Sequence, residues 1–374
     1  MRPSRVAVIG AGVIGAAVGW HLSRRGVDVL FIDRAEPGSG VTDWTFSWVN
    51  ASNKTQTDEY FELSVAGLDA HYRLAATIGG DNWWHPAGHL RWADSPEATE
   101  RLRAKVSQLA SRGYEVVLWE AERVRRLLEP AVRFPADGTP VAVYLREGWL
   151  DGRALASRLV DDAAGHGARA LLNTSVCDIV TEHGRIAAVI TTGGQRLQVD
   201  AVVNAAGPDG DKIAALAGRT LPMRYDPGLI LRLQCGNVPI GRVLHAPHIE
   251  LRPDSRGQVV LHSRELDSGL ASHHEFPPTL AQDVLARAID VVPALADSAM
   301  AGARAVSRPI PADGFPSVGA LEDMPGYYEA ISHSGITLAA IIGQLLAEEI
   351  VDGEINPLIR PYRPDRLTLA EPVA

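Results

Sequence analysis

The N-terminal segment RVAVIGAGVIGAAVGWHL, residues 5–22, constrains the fold more than any other part of this 374-residue chain. Its glycines Gly10, Gly12 and Gly15 have the spacing G-x-G-x-x-G. They fall where a predicted strand over residues 6–9 gives way to a helix with an apolar side. In such a turn the first glycine permits the sharp bend, the second lets the backbone approach a pyrophosphate, and the third lets helix and strand pack closely. The helix N-terminus then faces the anion.

The residues that follow complete a β-α-β unit. The helix is predicted to stop at Gly26, and the strand VDVLFID after it ends at Asp33. An acid at this strand end is suited to hydrogen bonding the two hydroxyls of a ribose. Arg34 is able to contact a 2′-phosphate, but the neighbouring Asp33 would repel that phosphate. The unit therefore predicts a dinucleotide other than NADP, and an ordinary glycine-rich turn is the alternative.

The C-terminal region predicts a second turn of the same kind. A strand over residues 327–331 leads through a small-residue turn at residues 332–335 into a helix with one apolar side. A nicotinamide enzyme does not ordinarily need a second backbone cradle so far from the first, whereas a long flavin cofactor is held at both ends. The helix N-terminus would face the pyrimidine edge of a flavin, where negative charge accumulates on reduction. A plain surface turn remains the alternative.

Composition favours a cytoplasmic protein that acts on a small molecule. The net charge of -9 leaves no basic field for nucleic acid or anionic lipid. The two cysteines, Cys177 and Cys235, give neither a disulfide framework nor a metal-ligand spacing. Glycines interrupt the segment that most resembles an export signal, so neither export nor an integral membrane segment is expected. No metal site is expected, because the candidate histidines lack acids at zinc spacing. Those histidines are His245, His248, His273 and His274.

Several motifs, in this order along the chain, resemble one family. They are the N-terminal VAVIGAGVIGAAVGWHLSRRGVDVLFIDR, the central LDGRALASRLVDDAAGHGARALLNTSV and VDAVVNAAG, and the C-terminal RPIPADGFPSVG and SHSGITLA. The chain resembles the FAD-dependent superfamily of D-amino-acid oxidase, glycine oxidase and sarcosine oxidase. The resemblance covers most of the chain and is weakest over residues 228–299. It implies an α/β fold, in which a Rossmann-like FAD-binding domain of the GR2 type is interleaved with an α+β substrate domain built on a mixed, antiparallel-rich sheet.

The implied domains alternate along the chain. The FAD-binding domain is expected from residues 1–83, 145–218 and 305–374, and the substrate-binding domain from residues 84–144 and 219–304. Short strands are predicted in the substrate domain over residues 88–93, 142–145, 229–235 and 258–262. Helices are predicted over residues 277–295 in that domain and over residues 58–79 beside the FAD-binding domain.

The resemblance also implies which residues contact FAD. The expected contacts are Gly10, Gly12, Val13, Ile14 and Gly15 at the pyrophosphate; Asp33 and Arg34 at the adenosine ribose; Thr42, Thr45, Phe46 and Ser47 in a second phosphate-side loop; Val176 at the adenine; Ala205, Ala206 and Gly207 beside the cofactor; and His333, Ser334, Gly335, Ile336, Thr337 and Leu338 around the flavin ring. On sequence alone, Val176 is equally an ordinary strand residue. Relatives with covalent flavin use a cysteine upstream of PADG or a histidine in the N-terminal loop. This chain has neither near Val306 or Thr45, so noncovalent FAD is expected.

Arg308 is the expected anchor for a substrate. It lies five residues before Asp313 in SRPIPADG. The resemblance matches it to the arginine that pairs with the substrate carboxylate in glycine-oxidase-like and D-amino-acid-oxidase-like sequences. A guanidinium binds a carboxylate through two parallel hydrogen bonds, which fixes orientation as well as charge. The alternative is a surface arginine paired with Asp313 or with a backbone carbonyl.

Further catalytic candidates lie in SWVNASNKT and near QVVLH. The resemblance implies that Trp48, Asn50, Asn53 and Lys54 face the flavin ring, where a cation would stabilise reduced flavin or superoxide. A solvated loop charge is an equal explanation for Lys54. Sarcosine-oxidase-like relatives carry an oxygen-activating lysine where this chain has Val259, with His262 nearby, so fast reaction with oxygen is in doubt.

These features predict FAD-dependent oxidation of a C–N bond in an amine or amino acid, with O2 or another acceptor taking up the electrons. A hydride would pass from the carbon beside the amine to flavin N5, giving an imine. One alternative is a dehydrogenase that reduces a quinone or a protein. Another is a FAD-holding subunit of a hetero-oligomer, and a nicotinamide dehydrogenase is poorly supported by the second turn. Trp83, Trp84 and Trp92 indicate either the wall of a bulky pocket or core.

Overall fold

A six-stranded sheet carries both glycine turns. The computed structural model describes residues 3–270 and 275–367, so the predicted candidates His273 and His274 lie outside the described residues. Numbered along the chain, the strands of this sheet are β1 (Arg5–Ile9), β2 (Asp28–Ile32), β9 (Arg169–Leu171), β13 (Ala201–Asn204), β19 (Ser317–Ala320) and β20 (Tyr327–Ile331). Their order is β19-β20-β13-β1-β2-β9. All neighbouring pairs are parallel except the antiparallel pair of β19 and β20.

Four helices pack with this sheet. They are α1 (Val13–Arg24), α2 (Asp58–Ile78), α5 (Gly152–Gly165) and α8 (Gly335–Asp352). Helix α1 packs between α8 and α5, and α2 packs on α8. Side chains fix two of the helix starts, because Thr57 accepts a hydrogen bond from Tyr60 N at α2 and Asp151 accepts one from Ala154 N at α5. The apolar sides of these helices and the strands form one buried core.

A second sheet has eight strands and shares none of them with the first. Its strands are β5 (His89–Arg91), β6 (Val116–Glu120), β7 (Pro140–Tyr144), β14 (Met223–Gln234), β15 (Val243–His245), β16 (Glu250–Pro253), β17 (Gln258–His262) and β18 (Ala299–Pro311). The order is β18-β14-β17-β16-β15-β5-β7-β6. Only β15 and β5 pair in parallel among these described strands. The predicted mixed, antiparallel-rich sheet is therefore confirmed.

Helices and two small sheets complete the described chain. The remaining helices are α3 (Pro96–Ser111), α4 (Ala121–Leu127), α6 (Gly210–Leu216) and α7 (Pro278–Val291). One small antiparallel sheet joins β10 (Val176–Glu182), β11 (Arg185–Thr191) and β12 (Arg196–Gln198). The other joins β3 (Trp48–Val49), β8 (Gly148–Leu150) and β4 (Trp84–His85), with β8 in the middle.

Strand β18 bears on the predicted domain limits. It pairs with β14 along its length, with one register shift, and continues through positions 304 and 305, where the sequence predicts a domain boundary. The domain limits as a whole stay a prediction. Trp83, Trp84 and Trp92 are all buried within apolar clusters, which favours core over a pocket wall for them.

Candidate functional site

One cavity of about 690 Å³ joins the two glycine turns. It lies at the carboxyl ends of strands β1, β2, β13 and β20, where ligands bind in open α/β sheets. The predicted contacts among its lining residues are Gly10, Gly12, Val13, Ile14, Asp33, Arg34, Thr42, Thr45, Val176, Ala205, Ala206, Gly207, His333, Gly335 and Ile336. The fold thus brings residues near both ends of the chain to one cavity, whose size falls within the range of small-molecule sites.

The first glycine turn is shaped by close backbone packing. Gly10 has a φ of +105°, and a Cβ there would lie 2.4 Å from the carbonyl oxygen of Ala205. A Cβ on Gly15 would lie 1.9 Å from the carbonyl oxygen of Gly10. Gly12 differs, since a Cβ there would contact only the Thr42 hydroxyl, at 3.2 Å. Gly10 and Gly15 therefore satisfy packing within the protein, whereas Gly12 leaves space on the cavity side, as a closely approaching pyrophosphate requires.

Helix α1 begins directly at this turn. Its first residue, Val13, donates its N–H to the Thr42 hydroxyl at 3.1 Å, which ties the second predicted loop to the helix start. The N-terminal amides of a helix have no partners within the helix, and the helix dipole favours an anion beside them. The glycine turn and the unpaired amides at the start of α1 together form the backbone cradle that a diphosphate needs.

The end of the cavity next to strand β2 carries charged side chains. Asp33 accepts hydrogen bonds from the N–H groups of Ala11 at 2.7 Å and Ala35 at 2.9 Å, so it also fixes the glycine turn to the end of β2. Arg34 pairs with Asp209 at 2.7 Å across this end. Lys212 contacts the other carboxylate oxygen of Asp209 at 2.6 Å. Although burial opposes it, these two cations hold the pKa of Asp209 below its usual value.

The C-terminal glycine turn, residues 332–335, lines the other end of the cavity. A Cβ on Gly335 would lie 3.1 Å from Ile14, so the second turn packs directly on the start of α1. His333 lines the cavity, and burial together with the nearby charges of Lys54 and Arg308 lowers its pKa to about 3. Its imidazole is therefore neutral at pH 7.

Six of the predicted FAD contacts are not among the residues that line the cavity. These are Gly15, Phe46, Ser47, Ser334, Thr337 and Leu338. The Ser334 hydroxyl shares a hydrogen bond with the Tyr60 hydroxyl at 2.7 Å, and the Thr337 hydroxyl accepts the N–H of Asn50 at 3.2 Å. Ser334 and Thr337 therefore support the C-terminal turn from the protein side, because their hydroxyl groups bond to other parts of the chain.

The five predicted catalytic residues also lie outside that lining. They are Arg308, Lys54, Trp48, Asn50 and His262. Arg308 is not paired with Asp313, whose carboxylate binds Arg366. Its guanidinium instead contacts Asp267 at 2.5 Å, Asp226 at 3.3 Å and the carbonyl oxygen of Pro227 at 2.9 Å. The neighbouring Pro309 does line the cavity.

His262 lies between two carboxylates on the same side of the eight-stranded sheet. Its Nδ1 lies 2.6 Å from Glu250, and its Nε2 lies 3.0 Å from Asp267. Burial opposes ionisation of the ring, but the charge of Glu250 and the bond to Asp267 outweigh it and raise the pKa of His262 to about 9. The buried ring therefore serves to bridge two acids at neutral pH.

Lys54 is a cation that forms no ion pair with the described residues, although the charge of Glu147 acts on it. Its side chain is partly exposed, and no hydrogen bond or ion pair of its Nζ is found among the described residues. Desolvation lowers the pKa of Lys54 to about 8, against the opposing charge of Glu147. This environment is unlike that of a solvated loop charge, which was the alternative for Lys54.

Trp48 and Asn50 are held by the loop itself. The Trp48 indole donates to Glu147 at 3.0 Å, and its ring lies 4.2 Å from that of His245. Glu147 is fully buried and also accepts hydrogen bonds from His89 and Tyr114. Asn50 is buried, and its amide contacts the backbone of Trp48 and Asn53.

Sequence reasoning missed several charged residues of this region. Asp226 and Glu250 lie within strands, Asp267 follows β17, and Glu147 precedes β8. Arg304 was missed as well, although it lines the cavity from β18. Among these residues, only Asp226 had a signal in the sequence. It and Gly228 occupy alternate positions of the strand that becomes β14, so they lie on the same face of that strand.

Neither a metal-binding cluster nor a membrane-spanning helix occurs among the described residues. Within residues 3–270 and 275–367, no group of three or more His, Cys, Asp or Glu side chains is arranged to hold a metal ion. Over the same ranges, no helix combines the length and the apolar character needed to cross a membrane. The predicted location in the cytoplasm stays a prediction.

Comparison with known proteins places the chain. It is 24% identical to the glycine oxidase of Geobacillus kaustophilus (strain HTA426) over 96% of this chain and 95% of the relative. It is also 24% identical to the hydrogen cyanide synthase subunit HcnC of Pseudomonas aeruginosa, over 96% and 95%. The crystal structure of the Geobacillus glycine oxidase superposes with a TM-score of 0.84 at 21% identity, covering 99% of this chain and all of that one.

A second solved structure shows the same fold. The L-proline dehydrogenase of P. horikoshii superposes with a TM-score of 0.84 at 20% identity, covering 98% of each chain. The family model described as "DAO: FAD dependent oxidoreductase" matches residues 5–349. That match spans both glycine turns and nearly the whole chain, and the protein therefore belongs to the DAO family of FAD-dependent oxidoreductases.

Proposed function

We propose that the cavity holds FAD noncovalently and that the protein oxidises a C–N bond of an amine or amino acid. The observation that carries this proposal is the single cavity lined by both glycine turns. Asp33 and Val176 would contact the adenosine end, Gly12 the diphosphate, and His333 with Ile336 the flavin end. Among the described residues that line the cavity there is neither Cys177 nor Cys235. This supports noncovalent binding of FAD.

When bound, FAD supplies the acceptor of two electrons. The residues of this chain have to orient the substrate and exclude water. The N-terminus of α8 would favour negative charge at the pyrimidine edge. His333 is neutral at pH 7, so it adds no charge beside that edge. Lys54 forms no ion pair within the described chain, so it is suited to balance developing negative charge.

The proposed substrate class is a carboxylate-bearing amine. Arg308 would bind its carboxylate, with the C–H beside the amine turned to the flavin end of the cavity. The names of two related proteins, glycine oxidase and L-proline dehydrogenase, support an amino acid as the donor. The amine has to be neutral to donate a hydride, so activity should rise with pH until another group titrates.

The function is tested by following flavin absorbance without oxygen. Purified protein is mixed with D-amino acids, N-methyl amino acids, cyclic imino acids and larger amines, and bleaching of the flavin band is recorded. Bleaching by at least one of these classes is expected. Arg308→Ala should then raise KM strongly while flavin stays bound. A flavin that no amine reduces would contradict the proposed reaction, and an unchanged KM would remove Arg308 as the anchor.

A second candidate concerns the electron acceptor. Val259 is apolar and fully buried where some relatives carry a lysine for oxygen, and two related proteins are named as a dehydrogenase and as a synthase subunit. A quinone or a protein partner is therefore the alternative to O2. Slow reoxidation in air after anaerobic reduction would favour it. A chain that holds flavin but is reduced by no amine on its own would favour a role as a subunit.

A further inference from the structure

Both terminal nitrogens of the Arg308 guanidinium already have partners within the chain. Nη1 contacts the carbonyl oxygen of Pro227 at 2.9 Å and Asp226 at 3.3 Å. Nη2 contacts Asp267 at 2.5 Å and lies 2.9 Å from His262 Nε2. Bidentate recognition needs two adjacent N–H groups directed at the same carboxylate. A substrate carboxylate therefore has to replace one of the resident partners.

The two resident carboxylates are held very differently. The Asp267 side chain is 6% exposed, and it also accepts the N–H of Leu229 and a hydrogen bond from His262. The Asp226 side chain is 26% exposed, and its other ion pair is with Arg264, whose side chain is 59% exposed. Displacing Asp267 would leave a buried charge and a buried amide unpaired, which is costly. Asp226 is able to leave Arg308 and keep Arg264.

Gly228 fixes where the guanidinium lies. Arg308 on β18 is paired with Asp226 on β14, and the guanidinium extends along β14 above Gly228. A Cβ on Gly228 would lie 2.2 Å from Arg308 Nη2. The guanidinium thus lies against the strand backbone, and one of its edges faces the buried Asp267. Of its two carboxylate partners, Asp226 lies on the more exposed side of the guanidinium.

This ion set faces the candidate cofactor site. The charges of Arg308, Asp226 and Arg264 all act on His333, which lines the cavity, and Pro309 next to Arg308 is part of the same lining. The charges of Arg308, Arg264 and the protonated His262 are balanced by those of Asp226, Asp267 and Glu250. Without an exchange of partners, the region offers little net attraction for an additional anion.

We propose that Asp226 is a resident counter-ion, which the carboxylate of the substrate displaces from Arg308. Asp226 then determines how tightly carboxylates bind, and it selects for monocarboxylates, because a second carboxylate would face Asp226 and Asp267. This inference rests on the proposed function, in which Arg308 is the carboxylate anchor.

The test uses the FAD-loaded full chain and acetate, a carboxylate that the enzyme does not oxidise. The Kd of acetate is measured from the change in flavin absorbance, with succinate as the dicarboxylate probe. Asp226→Asn should bind acetate about fivefold more tightly, the factor that corresponds to the loss of one partly exposed ion pair. It should also bind succinate more tightly. Arg264→Gln should weaken acetate binding, because Asp226 then has only Arg308 as its partner.

Asp137→Asn is the matched control, since Asp137 forms one exposed ion pair with Arg125 and the net charge changes equally. An acetate Kd that is unchanged in Asp226→Asn would overturn the inference, as would an equal tightening in the control. If Asp226→Asn does not fold, Arg264→Gln decides by the direction of its effect. Amines that still bleach the flavin would leave the proposed function intact in these cases. A protein that takes up no FAD would contradict both.

Discussion

Arg308 and Lys54, two cations near the flavin end of the cavity, differ in the charged groups that surround them. Arg308 is surrounded by carboxylates, whereas no ion pair of Lys54 is found in the described chain. Desolvation without a partner is costly for a charged group, and it lowers the pKa of Lys54 to about 8. Lys54 is therefore charged at pH 7 and neutral above pH 9.

Lys54→Met should slow the reoxidation of reduced flavin by O2 about tenfold at pH 7, because the charge that would balance the developing anion is lost. In the unaltered protein, the reoxidation rate should fall as the pH rises through about 8, and it should be flat in the variant. Stopped-flow absorbance measures both. Arg196→Met, which removes one positive charge from an exposed ion pair with Glu182, serves as control. Equal rates and equal pH profiles for the Lys54 variant would refute this role.

His262 predicts a pH dependence of stability. Its folded-state pKa of about 9 lies above the value of roughly 6.5 for an unfolded histidine. Its contribution to the free energy of unfolding is therefore complete below pH 6.5 and is lost as the pH rises through 9. The difference in unfolding free energy between the unaltered protein and His262→Asn should shrink by up to about 3 kcal/mol over that interval.

Urea unfolding at several pH values measures this difference. His166→Asn, at an exposed histidine, serves as the control variant. A difference that stays constant between pH 6 and pH 10 would show that Glu250 and Asp267 do not hold His262 in its charged form.

Residues of the candidate site were predictable where their signal is local. Gly10, Gly12 and Gly15 stand next to the strand and helix that they join, so spacing alone indicated a turn. The ion pairs of Arg308 could not be predicted, because Asp226 and Asp267 lie 82 and 41 positions away and meet it only through pairing of β14 with β18 and the turn after β17. Arg308 was expected to be available to a ligand, and its resident partners were not foreseen.

At the scale of secondary structure, the distance between the two glycine turns is set by helix packing. Helix α8 lies against α1, and a Cβ on Gly343 would lie 2.7 Å from Ala17. Both helices start at the cavity, so their separation determines how far apart the two turns are. Close contact of backbones at a glycine is what permits this arrangement.

Gly343→Ala should separate α1 from α8, because backbone cannot move aside as a flexible side chain can. The free energy of unfolding should fall by about 1–3 kcal/mol, and FAD should bind more weakly because the turns move apart. Chemical unfolding and FAD titration measure the two effects. Gly165→Ala at the end of α5 is the control, since a Cβ there meets no atom within 4 Å. Unchanged FAD affinity in Gly343→Ala would refute the link between packing and cofactor binding.

For the whole molecule, hydrophobic periodicity predicted the helices better than the sheet order. The helix expected over residues 58–79 is α2 (Asp58–Ile78), and the C-terminal strand is β20 (Tyr327–Ile331). The order of the eight-stranded sheet joins β5 to β15 from distant parts of the chain, and no local pattern encodes that pairing. The fold class followed from the family motifs, while the position of each strand in that sheet did not.

The central claim is that one cavity, formed by both ends of the chain, holds one FAD. Titration of flavin-free protein with FAD, followed by flavin absorbance and by the thermal unfolding midpoint, tests it most directly. We predict saturation at about one FAD per chain, a changed flavin spectrum and a higher midpoint. A colourless protein that shows no saturable uptake of FAD and no change in its midpoint would contradict the account.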